Sequence, residues 1–107
     1  MDEQNYKFGS FVFDAKRKIL LKQGSPVSIG QKCLILLERL LSAEGRAVSK
    51  SELMDAAWSA QNIEESNLAV QIAALRKCLG RSKSGEEWIA TVQRVGYQFV
   101  NPDNLPE

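Results

Sequence analysis

The side chains of this chain best suited to chemistry are donors to anions rather than catalysts. Between positions 66 and 100 stand five bases, Arg76, Lys77, Arg81, Lys83 and Arg94, against two acids, Glu86 and Glu87. That stretch carries +3 in a chain whose net charge is only +1. Ammonium and guanidinium groups gathered this way suit phosphate oxygens and other anionic surfaces. Histidine is absent, which removes the commonest general base and metal ligand. Cys33 and Cys78 lie in unrelated segments without C-x-x-C spacing and read as buried free thiols of a reducing compartment. Glu64-Glu65 and Glu86-Glu87 are adjacent pairs, and neighbours on a helix do not face one another. The sequence has no phosphate-cradling loop, nucleophile elbow or metal-ligand cluster. It therefore reads as a binding protein, not an enzyme, with no metal, no cofactor and no small-molecule substrate.

Two elements must position those bases. Residues 64–80, EESNLAVQIAALRKCLG, have the pattern of a helix with a divided surface. At about 100° per residue, Leu68, Ile72, Leu75 and Leu79 share one side. Ser66, Val70, Ala73, Ala74 and Lys77 fall opposite. A solvent face usually carries long charged residues, whereas this one is small and almost free of acid, as a surface must be that lies close against a partner. Residues 88–100, WIATVQRVGYQFV, have the pattern of a hairpin turning at 93–96, with Tyr97 and Phe99 on one face. Arg94 stands at its tip, where structure has little need of a cation. Arg76 and Lys77 suit phosphate contacts as well as the helix dipole.

The remainder reads as scaffold. Short strand-like runs at 6–8, 11–13, 18–22 and 26–29, with tight turns between them, suggest an antiparallel meander in which Pro26 fits only a strand start or an edge. A buried helix follows from Gly30, with Gly45 as its C-terminal cap. Ser49 and Glu52 stand at capping-box spacing, with Val48 and Leu53 as the hydrophobic staple. A short connection, 59–62, precedes the third helix, which Asn62 would cap. Trp58 and Trp88 read as packing residues. The expected architecture is α+β: a winged helix-turn-helix with an N-terminal four-stranded antiparallel sheet, three helices and a C-terminal β-hairpin wing. At 107 residues it forms one domain, divided into a sheet (6–29), helices (30–80), wing (87–100) and tail (101–107). No apolar run reaches the roughly 18 residues of a membrane span and no signal peptide is visible, so a cytoplasmic location is expected.

The segments VSKSEL (48–53), Trp58, ESNLAVQIAALRKCLG (65–80) and IATVQRVGYQF (89–99) resemble, in series, the OmpR/PhoB-type winged-helix effector domain, and within it the ToxR/CadC-like branch of transcriptional activators. The resemblance covers about residues 8–100. It implies double-stranded DNA as the partner, with the third helix in the major groove and the wing in the adjacent minor groove. Carried over by position, the base-facing residues are Asn67, Val70, Gln71, Ala73, Ala74 and Arg76, and the wing contacts are Gln93 and Arg94. The loop at 58–63, with Ser59, Ala60, Gln61 and Asn62, resembles one that contacts RNA polymerase in some members. Many response-regulator members carry arginines where this chain has Ala73 and Ala74, and an arginine or proline where it has Gln93. Alanine cannot read guanine but packs on a thymine methyl, and glutamine reads adenine. An A/T-leaning site is therefore expected. Four to six phosphate contacts would give a log–log salt slope of about −4 to −5. If Met1 is the native start, the rest of a larger regulator would follow residue 107. The domain is expected to be a monomer in solution and possibly a tandem dimer on DNA. The near-neutral charge and the alanines at 73 and 74 also fit a second reading, a protein-interaction module on the same scaffold.

Overall fold

The computed structural model describes residues 5–59 and 64–100. Its first layer is a meander of four short strands, β1 (Asn5–Phe8), β2 (Phe11–Asp14), β3 (Ile19–Lys22) and β4 (Ser25–Pro26), paired antiparallel in that order. Alternation sets its inner face: Phe11 and Phe13 of β2 and Leu20 of β3 are buried. The fourth strand is shorter than expected and stops at Pro26 on the sheet edge. Proline has no N–H to extend the ladder, and the chain turns into α1 (Gln31–Ser42) soon after.

Helix α1 is the centre of the core, with Leu36, Leu37 and Leu40 fully buried. Its cap is Ala43, two residues before the expected Gly45, and the chain leaves through left-handed Glu44 and Gly45. Helix α2 (Lys50–Trp58) starts where the capping pattern places it. The Ser49 hydroxyl accepts from the Glu52 amide at 3.0 Å, and Val48 and Leu53 are both buried. The box is only half closed, because the Glu52 carboxylate turns to Arg39 at 3.6 Å. Helix α3 (Glu65–Leu79) has Glu64, not Asn62, at its N-cap position, without a side-chain cap; Asn62 itself lies outside the described residues. The Glu65 carboxylate accepts a hydrogen bond from Lys50 at the start of α2, and this holds the Lys50 ammonium above the usual lysine range.

One element escapes the pattern reading. Val48–Ser49 form a short strand, β5, that pairs with the wing. With β6 (Ile89–Val92) and β7 (Gly96–Phe99) it makes a three-stranded sheet in the order β5-β7-β6. The cause is at Gly96, where a Cβ would stand 2.0 Å from the Val48 carbonyl oxygen. Gly96 therefore serves this close approach of two backbones rather than the wing turn. An aromatic cluster ties the two sheets together. Phe8 packs on Phe11 at 5.2 Å, on Trp88 at 5.2 Å and on Phe99 at 5.0 Å between ring centroids. Such pairs add about 0.5–1.5 kcal/mol each beyond their burial, so the wing is anchored from beneath as well as along its edge.

Candidate nucleic-acid interface

The two faces of α3 separate as the wheel requires. Leu68, Ile72, Leu75 and Leu79 are buried against the rest of the core. Ser66, Asn67, Val70, Ala73, Ala74 and Lys77 are all exposed. Val70 is 62% exposed, the most open large hydrophobic among the described residues. A bare valine between two alanines and a serine leaves a surface that another molecule can approach closely without displacing long side chains.

Two other candidates, Gln71 and Arg76, and one further base, Arg81, are placed differently. Gln71 is half-buried, and its Oε1 lies 3.4 Å from the Cys33 thiol on α1. Its amide oxygen lies toward α1, at the edge of the exposed face. Arg76 is also half-buried. Its Nε and Nη2 donate to the Ile89 carbonyl oxygen at 3.2 and 2.9 Å, and Nη2 donates to Thr91 Oγ1 at 2.9 Å. Its guanidinium carbon stands 5.7 Å from the Tyr97 ring centroid. Arg76 thus braces the wing against α3, and its planar fork is occupied by protein acceptors. Arg81 donates to the Gly85 carbonyl oxygen at 3.0 Å and pairs with Glu87 at 3.7 Å, closing the loop between α3 and β6. Of the five bases in this region, Arg81 is paired with a carboxylate and the Arg76 fork is held by neutral oxygens, whereas no ion pair or hydrogen bond engages the Lys77 and Arg94 side chains among the described residues.

The wing tip is exposed at Gln93, Arg94 and Val95, and the Val95 amide closes the turn on the Val92 carbonyl at 3.0 Å. Arg94 adopts φ +67°. That left-handed conformation costs a non-glycine residue about 1 kcal/mol or more, so an arginine there opposes local stability. The wing tip and α3 are coupled through one side chain, since Arg76 reaches from α3 to both Ile89 and Thr91 of β6.

In the connection between α2 and α3, Ser59 is exposed and left-handed, with its N–H bonded to the Asp55 carbonyl oxygen; Ala60, Gln61 and Asn62 lie outside the described residues. The cysteines differ from expectation. Cys33 is buried, and burial pushes its thiol above the usual range, with the nearby Cys78 adding to the effect. Cys78 is exposed, because it falls on the flank of α3 rather than within the leucine stripe. No helix among the described residues is long and apolar enough to cross a membrane.

Residues 24–99 match the family described as "Transcriptional regulatory protein, C terminal". The chain is 28% identical over 102 residues to the transcriptional regulatory protein YvrH of Bacillus subtilis, across 94% of this chain and 43% of that protein. It is 31% identical over 102 residues to the transcriptional regulator HilA of Salmonella typhi, across 95% of this chain and 18% of that protein. It thus spans less than half the length of these relatives. Among solved structures, the DNA-binding domain of CpxR from E. coli superposes with a TM-score of 0.81 at 21% identity, covering 92% of this chain and 97% of that one. The Klebsiella pneumoniae RstA DNA-binding domain, solved in complex with the RstA box, gives 0.75 at 22% identity, covering 92% and 98%. At these identities the superpositions establish the fold, and the matched residues establish the kinship. With its N-terminal meander, its α2–α3 pair and its wing, this chain belongs to the transcriptional regulatory protein C-terminal family, the OmpR/PhoB-type winged-helix domains.

Proposed function

We propose that this domain binds double-stranded DNA sequence-specifically as the effector domain of a transcriptional regulator, with α3 in the major groove and the wing tip in the adjacent minor groove. The observation that carries this reading is the exposed small-residue face of α3, flanked by Lys77 and continued by Arg94. Asn67 is the candidate adenine reader, and Val70, Ala73 and Ala74 are candidates to pack on thymine methyls. Lys77 positions the helix on phosphate, and Arg94, with Gln93 beside it, enters the minor groove. The preferred site leans to A/T. Arg76 acts by holding the wing rather than by touching DNA. The domain works in the cytoplasm as one part of a longer regulator, monomeric in solution and able to sit as a tandem pair on adjacent half-sites. The resemblance alone supports a polymerase contact at 59–62.

Selection of random-sequence duplexes by the purified chain, followed by sequencing, tests this. An enriched A/T-leaning motif that disappears in the Ala73→Glu variant supports the docking face, because that substitution sets a carboxylate against the duplex. Undiminished selection by Ala73→Glu overturns it. Absence of enrichment, even from a tethered tandem dimer whose effective concentration is raised without new contacts, favours the protein-interaction reading, which the scarcity of unpaired cations also fits.

A further inference from the structure

A cavity of about 520 Å³ opens between the N-terminal sheet and the loop that leaves α3. It lies at the end of the sheet where the β1–β2 turn meets the end of β3, and its far wall runs from Leu79 to Trp88. Four basic residues, Lys7, Lys22, Arg81 and Lys83, are among those that line it, with no acidic residue in the lining. Glu87 pairs with Arg81 from outside this lining and offsets part of one charge. So dense a concentration of positive charge is out of proportion to a chain whose net charge is +1.

The floor is aromatic. Phe8 and Phe11 stack there, and Trp88 meets Phe11 edge-on at 6.5 Å between centroids. The Lys22 ammonium stands 5.5 Å from the centre of the Phe11 ring. Gly9 shapes the wall: its φ is +56°, and a Cβ there would meet the Trp88 ring at 2.9 Å. The β1–β2 turn can therefore lie directly on the indole edge only with glycine at this position. Trp88 is buried, yet its indole N–H has no hydrogen-bond partner among the described residues, which is unusual for a buried donor. Size, an apolar floor and a few converging charges are the attributes of a small-ligand site.

We propose that this cavity binds a small organic anion with a flat apolar body, its charged group held beside Lys22 in the field of the other lining bases and its body resting against the edges of Phe11 and Trp88. The site is separate from the exposed face of α3, and the inference stands whether or not that face binds DNA. The test uses the 107-residue chain labelled with ¹⁵N and two probes of similar shape, the anion 8-anilino-1-naphthalenesulfonate and its uncharged analogue N-phenyl-1-naphthylamine. The expected result is saturable one-to-one binding of the anion, with shifts confined to the Gly9, Lys22 and Trp88 indole N–H signals and their neighbours. The neutral probe should bind at least tenfold more weakly. Lys7→Glu with Lys22→Glu should weaken the anion at least tenfold, while Lys16→Glu, at the opposite end of the sheet, should leave it unchanged; dispersed amide spectra verify folding of each variant. Equal affinity for both probes, shifts that map elsewhere, insensitivity to the double charge reversal or lack of saturation each overturns the proposal.

Discussion

Replacement of Arg76 separates two roles that a basic residue on a recognition helix can play. Its fork makes three hydrogen bonds to β6 and stacks near Tyr97. A charged donor on neutral acceptors contributes about 1.5–3 kcal/mol when buried. Arg76 is half-exposed, so Arg76→Ala should cost about 1–2 kcal/mol of stability, or roughly 5–15 °C in Tm for a domain of this size. Arg76→Lys should lose at least half as much, because one ammonium cannot serve the Ile89 carbonyl and the Thr91 hydroxyl while lying against the ring. In the proposed complex with DNA, the wing contact of Arg94 would depend on the brace. Arg94→Ala and Arg76→Ala should then be non-additive, with a coupling of about 0.5–1 kcal/mol in a double-mutant cycle. Thermal melts of the four proteins and titrations of one labelled duplex provide every quantity needed. If Arg76→Lys keeps wild-type stability and affinity, and if the two alanine variants add to within about 0.3 kcal/mol, Arg76 is a phosphate contact and the bracing argument is wrong.

Four further outcomes follow from the same geometry. Arg94→Gly should leave stability unchanged or raise it by up to about 1 kcal/mol, since glycine accepts the left-handed turn, while DNA binding weakens at least threefold; a loss of stability in denaturant titration would show that the tip is not strained. With Lys77 and Arg94 as the two bases of this segment whose side chains no hydrogen bond or ion pair engages among the described residues, the slope of log affinity against log salt should be near −2, and a measured slope steeper than −4 would mean that engaged cations let go of their partners on DNA. Cys78 should react rapidly with a thiol reagent in the folded protein, whereas buried Cys33, with its thiol held protonated by burial, should react only on unfolding; equal rates would contradict the packing of α1 on α3. Gly96→Ala should destabilise by about 2 kcal/mol or more, because the added carbon collides with the Val48 carbonyl, and amide exchange should then accelerate at β5 before it does in the meander.

The leucine stripe of α3 was legible because one period decides it. Residues three or four apart must share a face, and Leu68, Ile72, Leu75 and Leu79 cannot all be exposed at once. The capping hydroxyl of Ser49 and the meander were legible for the same reason, since their signals are local. The strand β5 was not, because two residues before a helix carry no periodicity; only the distant Gly96, by admitting a second backbone, makes them a strand. The half-open capping box shows the same limit: Ser49 answers to the sequence beside it, whereas Glu52 answers to Arg39, brought near by the packing of α1 on α2.

The flanks of α3 are where pattern reading says least, and the reason is physical. Gln71 and Arg76 lie at the borders of the exposed face, and a wheel assigns a direction to a border residue without saying what stands there. Here α1 places a thiol beside Gln71, and β6 places two oxygens within reach of Arg76. Cys78 erred the other way, exposed on a border that apolar neighbours suggested was buried. Charge counted along the chain is therefore an upper bound on charge offered to a ligand, since the fold satisfies its own carbonyls and carboxylates first. What survives that internal demand on the proposed docking face is small: one lysine, one strained arginine and a row of short side chains. A surface so poor in cations can discriminate between sequences only through close fit and a few base-edge contacts, so substitutions that add bulk to Ala73 or Ala74 should damage recognition more than removal of any single positive charge.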